Sequence, residues 1–165
     1  MLVAGVGCGV WMLYLGELQT QQALRPVFAW LSQHNVNVPA LALVAAFLQV
    51  WIPRVAALLW LSIQKKAKYD VNHPRGQSAF SGFGLRAQSA HENGIEAMVL
   101  FAPAVLLGIL LHVSSEKLHL FSIMFVLLRL LFIACYLLNW ASLRSAVWLT
   151  ALLFNWKLYM LCLFR

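Results

Sequence analysis

Four long apolar segments constrain the fold of this 165-residue chain more than any other feature of its sequence. They cover residues 39–63, 82–112, 118–140 and 143–164. A helix of about 20 apolar residues crosses the hydrocarbon core of a bilayer, and each segment is long enough to do so. Only 10% of the residues are charged, whereas soluble domains have roughly 25%. The sequence therefore predicts an all-α integral membrane protein with four transmembrane helices.

The connections between the last three segments, at residues 113–117 and 139–142, are very short. Helices joined by so few residues are antiparallel neighbours, so residues 39–165 are expected to form an antiparallel four-helix bundle. Residues 1–38 are predicted to be a separate N-terminal extension. Its second part, residues 17–37, has the scattered apolar side chains of a helix that lies along the membrane interface.

The net charge is +7, and four cations are concentrated in the loop after the first span. These residues are Lys65, Lys66, Lys68 and Arg75. The positive-inside rule places this loop in the cytoplasm and both termini on the opposite side. Cations confined to one loop do not form a surface that holds nucleic acid. The small size and short loops favour a bacterial inner membrane over a eukaryotic internal membrane.

The three cysteines provide no sign of a metal centre or a disulfide. Cys8, Cys135 and Cys162 lie in apolar segments and have no paired spacing. Small buried core residues are the better interpretation of all three. No metal site is predicted.

On each of the last three spans, polar side chains are expected to lie toward the same side of the membrane, the cytoplasmic side. At 100° per residue, four polar side chains of the second span fall within an arc of about 80°. They are Arg86, Ser89, Asn93 and Glu96. The third span aligns Arg129, Phe132, Tyr136 and Asn139, and the fourth aligns Arg144, Trp148 and Asn155. A bundle can turn these three faces toward one another, which predicts a common polar crevice.

Glu96 and Arg129 are expected to lie at the same depth. Glu96 is about 15 Å beyond Arg86 and Arg129 about 16 Å before Trp140, at the rise of an α-helix. Because a lone charge at that depth is unfavourable, the sequence predicts a buried Glu96–Arg129 ion pair. The alternative is that this polar network only fixes the register of the helices.

Cations outnumber acids around the predicted crevice, which favours an anionic ligand. Arg86, Arg129 and Arg144 face only Glu92 and Glu96. Two further polar residues have structural interpretations. His91 lies on the opposite face of its helix, where a hydrogen bond between helices is expected. Arg54 either lines the interior or pairs with an acid of another copy of the chain.

Three motifs together resemble those of the MAPEG family, the membrane-associated proteins in eicosanoid and glutathione metabolism. The run of residues 86–96 resembles the second-helix signature, with Asn93 and Glu96 at its Asn-x-x-Glu core. Arg129 with Tyr136 resembles the third-helix pattern, and Leu143-Arg144-Ser145 resembles the start of the fourth helix. The resemblance covers residues 39–165 and implies a homotrimer of four-helix protomers. Glutathione would lie between subunits near the cytoplasmic face.

The resemblance also implies roles for individual residues. Arg144 would stabilise the glutathione thiolate and is the predicted catalytic residue. Asn93 and Glu96 would contact glutathione or the residues that hold it, Arg129 would be the third-helix arginine, and Tyr136 would lie near the site. Family enzymes carry an arginine where this chain has Ser89, and Arg86, one turn earlier, is the candidate replacement. Arg86 and Ser89 complete the predicted glutathione-binding set.

The implied function is that of a glutathione-dependent membrane transferase or peroxidase. Its second substrate would be an apolar electrophile or a lipid hydroperoxide that enters from the bilayer. Trp148 stands where the family often has a tyrosine, and Glu92 where some members are basic. A non-catalytic membrane protein of the same fold that binds a lipid or a partner is therefore the alternative. A purely structural bundle is a third possibility.

Overall fold

The computed structural model describes residues 2–64, 70, 72 and 80–164, and its regular secondary structure within them is entirely helical. The helices are α1 (Leu2–Gln33), α2 (Val38–Ile63), α3 (Phe83–Leu110), α4 (Ser115–Leu137) and α5 (Ala141–Leu163). The chain divides into two compact units, Met1–Val38 and Pro39–Arg165. The first unit consists of α1 and the turn that follows it. One continuous helix covers both the apolar start of the chain and most of the predicted interfacial segment.

The four helices α2 to α5 are each long and apolar enough to cross a membrane. Their lengths of 23 to 28 residues correspond to about 35–42 Å at 1.5 Å per residue. This confirms the predicted all-α, four-span architecture. The basic loop on which the predicted orientation depends, with Lys65, Lys66, Lys68 and Arg75, lies outside the described residues.

Small residues allow α2 and α3 to approach each other closely. Gly94 on α3 lies against Val50 on α2, and a Cβ atom at Gly94 would be 3.4 Å from the Val50 Cγ2 atom. Further along the two helices, Ala57 and Ala87 are completely buried in one apolar cluster. Because lipid tails are as apolar as leucine, close packing of this kind replaces the hydrophobic effect in holding membrane helices together.

Aromatic stacking joins α3 to α4. The rings of Phe101 and Phe125 lie 4.1 Å apart and within 9° of parallel, and both side chains are buried. α4 packs most extensively against α5, and α3 packs against both. Cys135 and Cys162 are buried, which agrees with the predicted core role, while the side chain of Cys8 lies outside the described part of the chain.

The short turns predicted from the sequence are formed by residues with a left-handed backbone conformation at the ends of α3 and α4. Asn139 has a φ angle of 61°, and its N–H donates to the Tyr136 carbonyl at 3.2 Å. The N–H of Trp140 donates to the Cys135 carbonyl at 2.9 Å. His112, with a φ of 50°, ends α3 in the same way. This Schellman arrangement satisfies the last carbonyls of each helix and reverses the chain within a few residues.

Polar contacts between α2 and α3 account for His91 and Arg54. The Nδ1 atom of His91 lies 2.8 Å from the Val50 carbonyl oxygen, which confirms the predicted contact between helices. Arg54 donates a hydrogen bond to the side-chain oxygen of Gln88, and the Gln88 amide donates to Glu92 at 2.8 Å. The Gln88 amide therefore lies between the Arg54 guanidinium and the Glu92 carboxylate.

Candidate functional site

The predicted Glu96–Arg129 ion pair is replaced in the structure by a bridge through Asn93. Arg129 Nη1 donates to Asn93 Oδ1 at 2.9 Å, and Asn93 Nδ2 donates to Glu96 Oε2 at 3.2 Å. Arg129 is 3% exposed, whereas Glu96 is exposed. The prediction of a direct buried pair was therefore wrong, because a side-chain amide can both accept from the cation and donate to the carboxylate.

Arg129 is held deep in the bundle by an aromatic ring as well as by Asn93. Its guanidinium carbon lies 4.2 Å from the centroid of the Phe132 ring, within the range of a cation–π interaction. The Nη2 atom of Arg129 is buried and has no hydrogen-bond partner among the described residues. A buried guanidinium that is only partly satisfied is a strong local source of positive potential.

A cavity of about 90 Å³, which we call the inner cavity, lies beside this network. The polar residues that line it are Asn93, Glu96, Arg129 and Asn155, and Trp148 and Leu152 form part of its apolar wall. These residues come from α3, α4 and α5, the three helices whose polar faces were predicted to meet. The inner cavity therefore contains most of the predicted crevice.

Arg144 lies in a second and larger cavity of about 410 Å³, which we call the outer groove. It is in the first turn of α5, and its guanidinium carbon lies 4.4 Å from the centroid of the Tyr136 ring. Phe132, Ser145 and Trp148 also line the outer groove. The site thus combines one cation, a helix N-terminus and aromatic walls, an arrangement suited to a ligand with a negative charge and an apolar part.

Trp148 lines both cavities and is 43% exposed. The predicted crevice is therefore two adjacent cavities that share one indole wall. Asn93, Glu96 and Arg129 lie on one side, and Arg144 and Tyr136 lie on the other.

Arg86 and Ser89 are not among the residues that line either cavity. Arg86 is half-buried, and its Nη2 atom donates a long hydrogen bond of 3.5 Å to the Leu137 carbonyl at the end of α4. Its Nε atom is buried and has no partner in the described residues. Ser89, also half-buried, lies one turn before Asn93 on α3. Within the protomer, neither residue therefore lines the groove that holds Arg144.

Sequence reasoning aligned Asn155 with Arg144 but gave it no role, and it did not identify Tyr159. Both side chains donate to the Leu100 carbonyl on α3, at 3.3 Å from Asn155 Nδ2 and 2.9 Å from Tyr159 Oη. Their four-residue spacing on α5 was the only available signal. The acceptor is a backbone carbonyl, which has no signature in the sequence.

Comparison with known proteins identifies a family for this chain. The chain matches the MAPEG family over residues 38–164. Neither the curated proteins nor the solved structures contain a significant match. Among the described residues, no group of three or more histidine, cysteine or acidic side chains is placed to hold a metal ion. Because the match covers most of the chain and includes all four membrane spans, the chain belongs to the MAPEG family.

Proposed function

We propose that this protein is a glutathione-dependent membrane transferase or peroxidase, with Arg144 as its catalytic residue. The observation that carries this proposal is the position of Arg144 in the first turn of α5, inside the outer groove and beside Tyr136. Membership of a family of membrane proteins in glutathione and eicosanoid metabolism supports it. The second substrate would be an apolar electrophile or a lipid hydroperoxide dissolved in the bilayer.

The chemistry follows from the charge at the start of α5. A free thiol has a pKa near ~8.5, and its thiolate is the nucleophile. The Arg144 guanidinium and the partial positive charge of the helix N-terminus both stabilise the thiolate relative to the thiol. Tyr136, stacked with Arg144, restricts the orientation of the guanidinium. Asn93, Glu96 and Arg129, with Arg86 and Ser89, would position the rest of the tripeptide.

Titration of the purified protein with glutathione tests this proposal directly. The ultraviolet absorbance of the thiolate should rise at neutral pH with the parent protein and should be lost with Arg144→Ala. Lys157→Ala is the matched control, since it removes a cation that lies on the same helix but does not line the outer groove. The absence of any glutathione binding at millimolar concentration would refute the proposal.

The proposal includes a homotrimer, and two exposed acids support it. Glu92 and Glu96 are exposed on α3 of the isolated protomer, within a helix long enough to span the membrane. A carboxylate in contact with hydrocarbon is unfavourable by several kcal/mol, so a second copy that covers this face would remove that penalty. Chemical crosslinking in native membranes should give a ladder that ends at three subunits. A species that stays monomeric would contradict the shared glutathione site.

The second candidate is a non-catalytic protein of the same fold that binds a lipid or a partner. Ser89 and Trp148 favour it, because they stand where family enzymes carry an arginine and often a tyrosine. A tryptophan has no hydroxyl to offer to a thiolate.

We also propose that residues 1–38 form an extension separate from the four-helix domain, that the basic loop is cytoplasmic, and that the membrane is a bacterial inner membrane.

A further inference from the structure

A third cavity, of about 10 Å³, lies between α2, α3 and α4, and we call it the small cavity. Small residues leave the space for it, because Ala46 on α2 and Gly94 and Ala97 on α3 all line it. Gln49 and Arg129 also line it, and the rest of its described wall is apolar. A cavity of this volume holds about one water molecule.

Gln49 and Arg129 each leave one buried atom without a hydrogen-bond partner among the described residues. These atoms are Oε1 of Gln49 and Nη2 of Arg129. Both side chains are more than nine-tenths buried, with exposed fractions of 6% and 3%. Unpaired buried polar atoms are unfavourable and rare in folded proteins. Two of them on residues that line the same cavity therefore indicate a bound group that pairs with both.

The two atoms are complementary to a single water molecule. Gln49 Oε1 can only accept a hydrogen bond, and Arg129 Nη2 can only donate one. A water molecule donates to the first atom and accepts from the second at the same time. A cation would be repelled by the Arg129 guanidinium, and an anion such as chloride could not donate to Gln49 Oε1.

We propose that the small cavity binds one structural water molecule, and that Gln49 acts through this water as a positioning residue for Arg129. Asn93 holds the Nη1 atom of Arg129, the water holds Nη2, and the Phe132 ring covers the guanidinium. A guanidinium that is held at both terminal nitrogens keeps one orientation.

This water connects α2 to a site that the other three helices form. The described residues that line the inner cavity and the outer groove come from α3, α4 and α5. Pro53, inside α2, has no N–H to donate to the Gln49 carbonyl four residues earlier, so α2 lacks one of its own hydrogen bonds at this level. The bridge from Gln49 to Arg129 ties this weakened turn to α4.

A structure of the parent protein that resolves ordered water tests the site without glutathione. It should show one water molecule within hydrogen-bonding distance of Gln49 Oε1 and Arg129 Nη2. In isotope-labelled protein in lipid nanodiscs, the Arg129 guanidinium resonances, assigned with Arg129→Lys, should receive magnetisation from this water. A direct bond between the two side chains, or the absence of ordered water between them, would overturn the proposal.

Gln49→Leu tests the positioning role. Leucine has a similar size but no acceptor, so the transfer from water should be lost and the Arg129 guanidinium resonances should broaden. Gln49→Glu keeps an oxygen acceptor, and its guanidinium resonances should stay sharp. Ala42→Gly, at a buried position of α2 outside the lining of the small cavity, is the control for general destabilisation and should leave the resonances unchanged. Sharp, water-coupled resonances in Gln49→Leu would contradict the proposal.

The consequence for glutathione rests on the proposed function. The loss of one supporting hydrogen bond in Gln49→Leu should raise the Kd for glutathione by about 3- to 10-fold, and Gln49→Glu should restore the parent value. A parent-like Kd in a Gln49→Leu variant with a loosened guanidinium would refute the positioning role. A parent protein that holds the water but binds no glutathione would refute the proposed function and still support the water site.

Discussion

Arg144→Ala should reduce the rate of glutathione conjugation to an apolar electrophile by about 10²- to 10³-fold at saturating glutathione. That is the usual loss when one preorganised electrostatic stabiliser is removed from an active site. Among the described residues that line the outer groove, Arg144 is the only arginine, and it lies at the positive end of α5. The measurement is the initial rate with a chromogenic aryl halide, on protein whose fold is checked by its melting temperature.

The pH dependence of the residual rate of Arg144→Ala distinguishes the loss of thiolate stabilisation from a structural defect. Without the guanidinium, the thiol of bound glutathione should titrate closer to its ordinary pKa of about 8.5, so the residual rate should rise with pH through that range. Arg144→Lys keeps a cation and should retain more activity than Arg144→Ala. A parent-like rate in Arg144→Ala would remove Arg144 from the mechanism.

Arg129→Ala should lower the free energy of unfolding in detergent by about 3–5 kcal/mol, because it removes a charge-assisted hydrogen bond and leaves a cavity at a buried position. It removes the bond to Asn93 and the contact with Phe132, and it leaves the Glu96 carboxylate without its cation. The expected fall in melting temperature is on the order of 10 °C for a chain of this size. Thermal unfolding followed by circular dichroism in one detergent measures it.

Glu96→Gln is the matched comparison and should cost less than about 1 kcal/mol. Glutamine keeps a side-chain oxygen that can accept from Asn93 Nδ2, and Glu96 is exposed in the protomer. A direct ion pair would make the two substitutions similar in effect, whereas the bridge through Asn93 makes them unequal. Equal losses from Arg129→Ala and Glu96→Gln would contradict the observed hydrogen bonds.

Periodicity and depth were sufficient to place Asn93, Glu96 and Arg129 in one neighbourhood. Helical rise put the acid and the cation at similar depths, and the structure joins them through Asn93. The direct pairing could not be tested from the sequence, because a shift of an ångström or two decides whether a carboxylate or an amide reaches the guanidinium. The same reasoning aligned Asn155 with Arg144 but could not identify its acceptor, the Leu100 carbonyl.

The sequence by itself determined the four membrane spans, the short turns and the family, since apolar length, loop length and local motifs are properties of consecutive residues. Only the tertiary structure decided that the polar faces form two cavities divided by Trp148. It alone also showed that Asn93 separates Glu96 from Arg129 and that Arg86 turns toward the end of α4. The physical reason is that helix rotation and crossing are set by close packing at positions such as Gly94 against Val50, and packing depends on all neighbours at once.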